Sequence, residues 1–168
     1  MNTPSNLEIE RAWLLNSMPV LPGDATSCTI RQGYLPLDQD EPGARGQRLR
    51  ATTTDDGMTI YHHTTKEGIG LVRTEIEQEI SREQFDQAWP LTEGRRLSKI
   101  RHRACVGDLT WEIDVFDQIK LILAEVELPG RDHLAEIPRW LAPCIEREVT
   151  DDPRYRNARI ALEWINRS

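Results

Sequence analysis

A charge–aliphatic–charge triplet recurs six times along the chain, and it restricts the fold more than any other feature. The triplets are Glu8-Ile9-Glu10, Arg48-Leu49-Arg50, Glu75-Ile76-Glu77, Lys99-Ile100-Arg101, Glu112-Ile113-Asp114 and Glu125-Val126-Glu127. In an extended strand, residues i and i+2 share a face. Each triplet therefore puts two charges on one wall and a hydrocarbon on the other, a period that fits strands and not helices. Alternation alone is compatible with a solvated outer face, where each cross-strand ion pair is worth about 0.2–1 kcal/mol. It is equally compatible with a charged interior. The signs narrow the choice. Each triplet is single-signed, so its like charges repel unless a strand of opposite sign lies opposite. Basic and acidic strands around a shared interior would meet that demand. Arginine and lysine bind phosphate oxygens, and carboxylates hold a hard divalent cation that bridges phosphates.

The spacing predicts eight strands, at residues 7–15, 28–37, 47–53, 58–66, 71–80, 95–104, 109–116 and 121–128. Asp55-Asp56-Gly57 reads as a tight hairpin turn. Ser81 with Gln84 three residues on is a capping box opening a short helix that ends before Pro90. Asp132 is read as the cap of a second short helix including Leu134, Trp140 and Leu141. Asp152-Pro153 is read as the N-cap and first residue of a C-terminal helix reaching about Asn166, with Tyr155, Ala158, Leu162 and Ile165 on its apolar face. The fold class expected is α+β, with hairpin-connected antiparallel strands. Eight such strands can close into a barrel.

One domain is expected from 168 residues. A net charge of -7 disfavours broad binding to nucleic acid or an acidic membrane. The three cysteines, Cys28, Cys105 and Cys144, are widely spaced without a CxxC, which disfavours a disulfide framework or zinc site and points to a reducing, cytoplasmic setting. No leader pattern is seen at the N-terminus, and no apolar run approaches the roughly 20 residues that span a bilayer. Neither a P-loop nor a Gly-x-Ser-x-Gly motif is present. The five tryptophans, Trp13, Trp89, Trp111, Trp140 and Trp164, are read as packing residues between sheet and helices.

In order along the chain, Glu8-Ile9-Glu10-Arg11, Gln32-Gly33-Tyr34-Leu35, Arg48-Leu49-Arg50, Lys66, Arg73-Thr74-Glu75-Ile76-Glu77, Lys99-Ile100-Arg101, residues 111–116, Ala124-Glu125-Val126-Glu127-Leu128, residues 138–141, Glu148-Val149-Thr150 and Arg154-Tyr155-Arg156-Asn157 resemble the motifs of the CYTH superfamily, the triphosphate tunnel metalloenzymes. The resemblance covers nearly the whole chain. It implies a single-domain eight-stranded antiparallel β-barrel enclosing a tunnel, where a small-molecule triphosphate binds with Mg²⁺ or Mn²⁺. The family includes inorganic triphosphatases, thiamine triphosphatases, class IV adenylyl cyclases and RNA triphosphatases. The pattern is closest to bacterial inorganic triphosphatases.

Carried over residue by residue, Arg48, Arg50, Lys66, Arg73, Lys99 and Arg101 would grip the phosphates, with Lys99, Arg101 and Arg50 the catalytic cations. Glu8, Glu10, Glu112, Asp114, Glu125 and Glu127 would form the metal pool, with Glu125 and Glu127 the favoured first pair. Glu75 and Glu77 would be ligands or would orient the arginines. The implied chemistry is in-line attack of water on the terminal phosphorus; a cyclase would instead direct a ribose hydroxyl at the α-phosphorus. Neither a nucleic-acid nor a membrane partner is expected, and a homodimer stays open. The chain departs from the family once. The lysine of the first strand falls at position 12, where this chain has Ala12. Arg11 is one residue away and so points to the other face. A binding module with little or no turnover is the alternative this leaves open. If the strand at 58–66 is regular, His62 shares a face with Lys66 and could supply part of the missing charge.

Overall fold

A computed structural model describes residues 9–36, 44–67, 74–130 and 132–165. Nine strands form one antiparallel sheet: β1 (Ile9–Leu15), β2 (Thr26–Tyr34), β3 (Ala44–Thr54), β4 (Thr59–Glu67), β5 (Thr74–Ile80), β6 (Arg96–Val106), β7 (Leu109–Phe116), β8 (Ile122–Leu128) and β9 (Ile145–Glu148). Their order across the sheet is β5-β4-β3-β2-β6-β7-β8-β1-β9. The closed eight-stranded barrel expected from the sequence is corrected here. The second edge of β1 is taken by β9, so β5 and β9 remain as the two sheet edges. The sequence does not reveal β9 as a strand. It is four residues long, and its pairing with β1 is supported by a two-pronged ion pair from Arg11 to Glu148 at 2.8–2.9 Å.

The register puts the predicted charges on one face. Arg101 lies opposite Asp114, Glu112 opposite Glu125, Glu10 opposite Glu127, and Arg50 opposite both Gln32 and His62. The opposite face of β1, β7 and β8 is apolar. Trp13, Leu15, Trp111, Ile113, Ala124, Val126 and Leu128 bury there with Leu141, and the Trp13 and Trp111 rings lie 5.1 Å apart. Packing of this kind is what makes a strand register costly to slip.

The charged face is concave. Tyr34 of β2 and Ala12 and Leu14 of β1, far apart in strand order, all pack on one cluster formed by Leu97, Phe116, Leu121, Leu123, Val149, Ile160 and Ala161. Ile160 and Ala161 come from the C-terminal segment, which plugs that end of the face. The helix expected from Pro153 is corrected. Asp152 caps only a 3-10 turn, Pro153–Tyr155, and Arg156 is extended. Helix α2 begins at Asn157 (Asn157–Arg159) and widens to π geometry over Ile160–Trp164. The break aims Ile160 and Ala161 into the cluster, while Leu162, expected on the buried face, is 43% exposed. The helix expected at Asp132 does not form either. Residues 133–138 carry no regular structure, and Ala135 and Trp140 pack onto the outer apolar cluster instead.

Helix α1 (Arg82–Ala88) realises the capping box: the Ser81 hydroxyl accepts from the Gln84 amide, and the Gln84 side chain accepts from the Ser81 amide. The 3-10 turn after it, Trp89–Thr92, presses Thr92 against β2. A Cβ at Gly33 would sit 2.6 Å from Thr92 Oγ1, so only glycine lets the two approach. Trp89 stacks on Phe85 and lies between the Arg31 and Arg96 guanidiniums. No helix among the described residues is long and apolar enough to cross a membrane.

Candidate functional site

The concave face divides into two parts with different electrostatics. The first is built on β6, β7 and β8. Lys99 (0% exposed), Arg101 (7%), Asp114 (0%) and Glu125 (7%) are buried there together. Asp114 takes Lys99 Nζ and, from Arg101, both Nε and Nη2 at 2.7 Å. Arg101 also reaches Glu125 at 3.0 Å and pairs with Glu112, which Arg103 contacts from the strand end at 2.9 Å. Lys99 is further fixed by Asn157 Oδ1 at 3.1 Å and sits over the Phe116 ring. Burial would raise the Asp114 carboxyl, but the Lys99 charge and the Arg101 hydrogen bonds overcome it and hold it well below the usual carboxylate range. Burial would likewise lower Arg101, but Asp114, Glu125 and Glu112 overcome it and raise it. Lys99 and Arg101 are thus committed to carboxylates.

The second part is built on β2, β3 and β4. Arg48 lies opposite Thr64 and Tyr34, and Arg50 opposite Gln32 and His62. Arg48 Nη2 donates to Thr64 Oγ1 at 3.1 Å and reaches Glu77 at 3.3 Å, while Thr64 donates to Glu77 at 2.9 Å. Glu77 therefore orients Arg48. Arg50 differs. Among the described residues it makes no ion pair, and its hydrogen bond goes to the neutral amide of Gln32 at 3.3 Å. Burial, then repulsion from Arg48 and Arg101, push Arg50 down to about 10. Burial is the largest cause, as it is at Lys99, and at Arg50 the two neighbouring arginines add to it.

The opposite imbalance lies at Glu10 and Glu125. Glu10 is open to solvent by area yet ringed by protein, as a side chain in a deep cleft would be. Its carboxyl lies close enough to that of Glu125 for each to act on the other. Burial raises Glu10. Burial, then repulsion from Asp114 and Glu10, push Glu125 up to about 8, although Lys99 and Arg101 oppose the rise. Ala12 stands directly across from Glu125 and contributes a methyl to the apolar plug.

Of the other expected residues, Glu127 is exposed opposite Glu10, and His62 is half-buried opposite Arg50 and Glu79. His63 points away and bonds Gln47 at 2.9 Å. Lys66 and Glu75 lie opposite each other on β4 and β5; only their backbones belong to the description. Glu8 and Arg73 lie outside the described residues. Three residues escaped sequence reasoning as site members: Gln32, Tyr34 and Asn157. Each carries only a family-motif signal in the sequence, because none of them belongs to a charge–aliphatic–charge triplet.

No three His, Cys, Asp or Glu side chains among the described residues form a metal cage. Mg²⁺ rarely needs one: it usually takes one or two carboxylates, several waters and substrate phosphates. The residues suited to that role are Glu10, which is open to solvent by area, and the buried Glu125, both raised by burial, with Glu127 opposite Glu10. Glu112 and Asp114 serve the arginine and lysine instead. Two hollows elsewhere on the surface are lined by residues 148–153 and by Leu15, Asn16 and residues 115–122, and neither contains any of these cations.

One face of a curled antiparallel sheet thus carries cations on β3 and β6 and carboxylates on β1, β7 and β8. The chain is 39% identical over 161 residues to an inorganic triphosphatase of Nitrosomonas europaea, covering 92% of this chain and 97% of that protein. It is 30% identical over 156 residues to an inorganic triphosphatase of Acetivibrio thermocellus, covering 91% and 92%. The crystal structure of the inorganic triphosphatase NE1496 superposes with a TM-score of 0.64 at 36% identity, covering 92% of this chain and 97% of that one. No family model matches the chain. On these relationships the chain belongs to the inorganic triphosphatase family.

Proposed function

We propose that this protein hydrolyses inorganic tripolyphosphate, or a related small triphosphate, within a CYTH-type cleft using Mg²⁺ or Mn²⁺. The observation that carries the reading is Arg50, inward-facing, without an ion pair among the described residues and beside Arg48 and Arg101. A half-buried cation pushed down by burial and by like-charged neighbours gains when a polyanion arrives, so the arrangement is preorganised for phosphate oxygens. Arg50 and Arg48 would contact the phosphates. Lys99 and Arg101, locked to carboxylates, would act through their field and through the geometry they impose on Asp114 and Glu125. Glu10, Glu125 and Glu127 would hold the metal. Once bound, the metal supplies positive charge to the phosphate oxygens on which negative charge develops during transfer.

The test is phosphate release from tripolyphosphate, ATP and thiamine triphosphate with each metal, against a Glu125→Ala control. Turnover of at least one substrate above the control is expected. No turnover above the control would end the enzyme claim. Ala12, a methyl opposite Glu125, favours a second reading: a module that binds tripolyphosphate without cleaving it. Calorimetric binding without phosphate release, with turnover restored by Ala12→Lys, would establish that reading. Cyclic AMP formed from ATP would establish a cyclase.

A further inference from the structure

Gln32 is completely buried (0% exposed) on the charged face of β2, between Arg50 of β3 and Leu97 of β6. A buried amide needs partners at both ends. Arg50 Nε donates to Gln32 Oε1 at 3.3 Å, and Gln32 Nε2 donates to Tyr34 Oη at 2.6 Å. This orientation cannot be reversed. A guanidinium has donors only, so the amide oxygen must face it, and the amide NH₂ is left to face the phenol.

Two consequences follow. The Arg50 Nε is occupied by Gln32, which turns the paired terminal nitrogens of the guanidinium away from it. The Tyr34 oxygen is used as an acceptor, so its proton cannot return to Gln32. The charged groups that act most strongly on the phenol are Arg48 and Arg50, neither of which can accept; the Glu125 carboxylate acts more weakly and makes no hydrogen bond to it. Among the described residues no acceptor takes that proton. Burial pushes the phenol up to about 12 despite the two arginines, so Tyr34 remains a donor at neutral pH. Its ring packs in the apolar plug, which leaves the hydroxyl as its polar end.

We propose that Gln32 is a positioning residue that presents the Arg50 fork and the Tyr34 hydroxyl proton to the same phosphoryl group. Gln32 itself touches no substrate. It sets the donor direction of two groups that do, on adjacent strands, with Gln32 opposite Arg50 and Tyr34 opposite Arg48. This inference rests on the phosphate reading of the cleft.

The experiment compares wild type, Gln32→Glu, Gln32→Met, Tyr34→Phe and the double variant Gln32→Glu/Tyr34→Phe. Tripolyphosphate turnover with Mg²⁺, calorimetric tripolyphosphate binding without metal and thermal unfolding are measured on each. Gln32→Glu keeps the shape and the acceptor for Arg50. It replaces the donor facing Tyr34 with an acceptor that captures the phenol proton, and its charge cancels that of Arg50. The expected result is a kcat loss of roughly 10- to 100-fold for Gln32→Glu, the scale for losing an orienting hydrogen bond. The double variant should be no slower than the slower single variant, because both act on one hydroxyl. Gln32→Met, which removes both bonds without adding charge, should lose kcat more than it raises KM. Gln32→Glu with kcat and metal-free binding near wild type would overturn the inference, as would losses that multiply in the double variant. Equal losses of stability and activity in Gln32→Met, with no split between kcat and KM, would also overturn it, since they describe a merely structural amide. A wild-type protein that neither binds nor cleaves tripolyphosphate would overturn the phosphate reading itself, and the inference with it.

Discussion

The two parts of the concave face use the same residue types to opposite ends. On β6–β8, every buried charge has a partner: Lys99 and Arg101 meet Asp114, and Arg101 also meets Glu112 and Glu125. On β2–β4, Arg50 makes no ion pair among the described residues, and its hydrogen bond goes to a neutral amide. Neutralised charges in a low-dielectric interior hold geometry, and breaking one strands its partner. An under-neutralised charge costs stability and gains by binding. The difference separates scaffold from binding surface more sharply than residue identity does, since Arg50 and Arg101 belong to near-identical sequence triplets.

The largest effect expected from disturbing this contrast is at Asp114. Asp114→Ala leaves Lys99 and Arg101 buried without their shared carboxylate, and should destabilise the fold by about 3–5 kcal/mol in denaturant unfolding. A loss near that of a surface substitution would mean that the network is not a scaffold. Next is Arg50→Ala. It should leave thermal stability unchanged or slightly raised while lowering turnover by about 100- to 1000-fold, the scale for one transition-state donor. If stability fell and turnover did not, the roles of the two parts would be reversed.

The smallest effect concerns pH. In the folded state Glu125 is pushed up to about 8 from an ordinary 4.5. Between those values the native protein keeps a proton that the unfolded chain releases, so stability falls as pH rises through that window. Asp114 has the opposite sign. It is held below its ordinary 3.8, so its contribution is present above that value and is lost as pH falls further. Melting temperatures in metal-free buffer from about pH 5 to 9 should decline for wild type, and the decline should flatten in Glu125→Gln. An unchanged slope would move the titrating group elsewhere.

Much of the fold was legible because its signals are local. Alternation with period two marked eight strands, and Asp55-Asp56-Gly57 falls at the expected turn, with Gly57 at positive φ. The Ser81–Gln84 box closed as read. The misreadings share one cause. At Asp132 and at Pro153 the local helix signals were sound, but packing on the sheet decided the path. Ala135 and Trp140 are drawn to the outer core, and a break at Arg156 brings Ile160 into the plug. β9 exists because β1 has a second edge to fill, which no four-residue signal announces.

The sequence by itself determined which strands carry charged triplets, with which sign, and that each triplet puts its two charges on one wall, because strand parity is a property of neighbours along the chain. Which charge meets which partner was decided only by tertiary structure. Arg101 meets Asp114 across a hairpin, Lys99 meets Asn157 across 58 positions, and Arg11 meets Glu148 across 137. Register and curl set those distances, and Coulomb energy in a low-dielectric interior depends on distance. The same triplet can therefore be a locked strut on β6 and an open phosphate contact on β3.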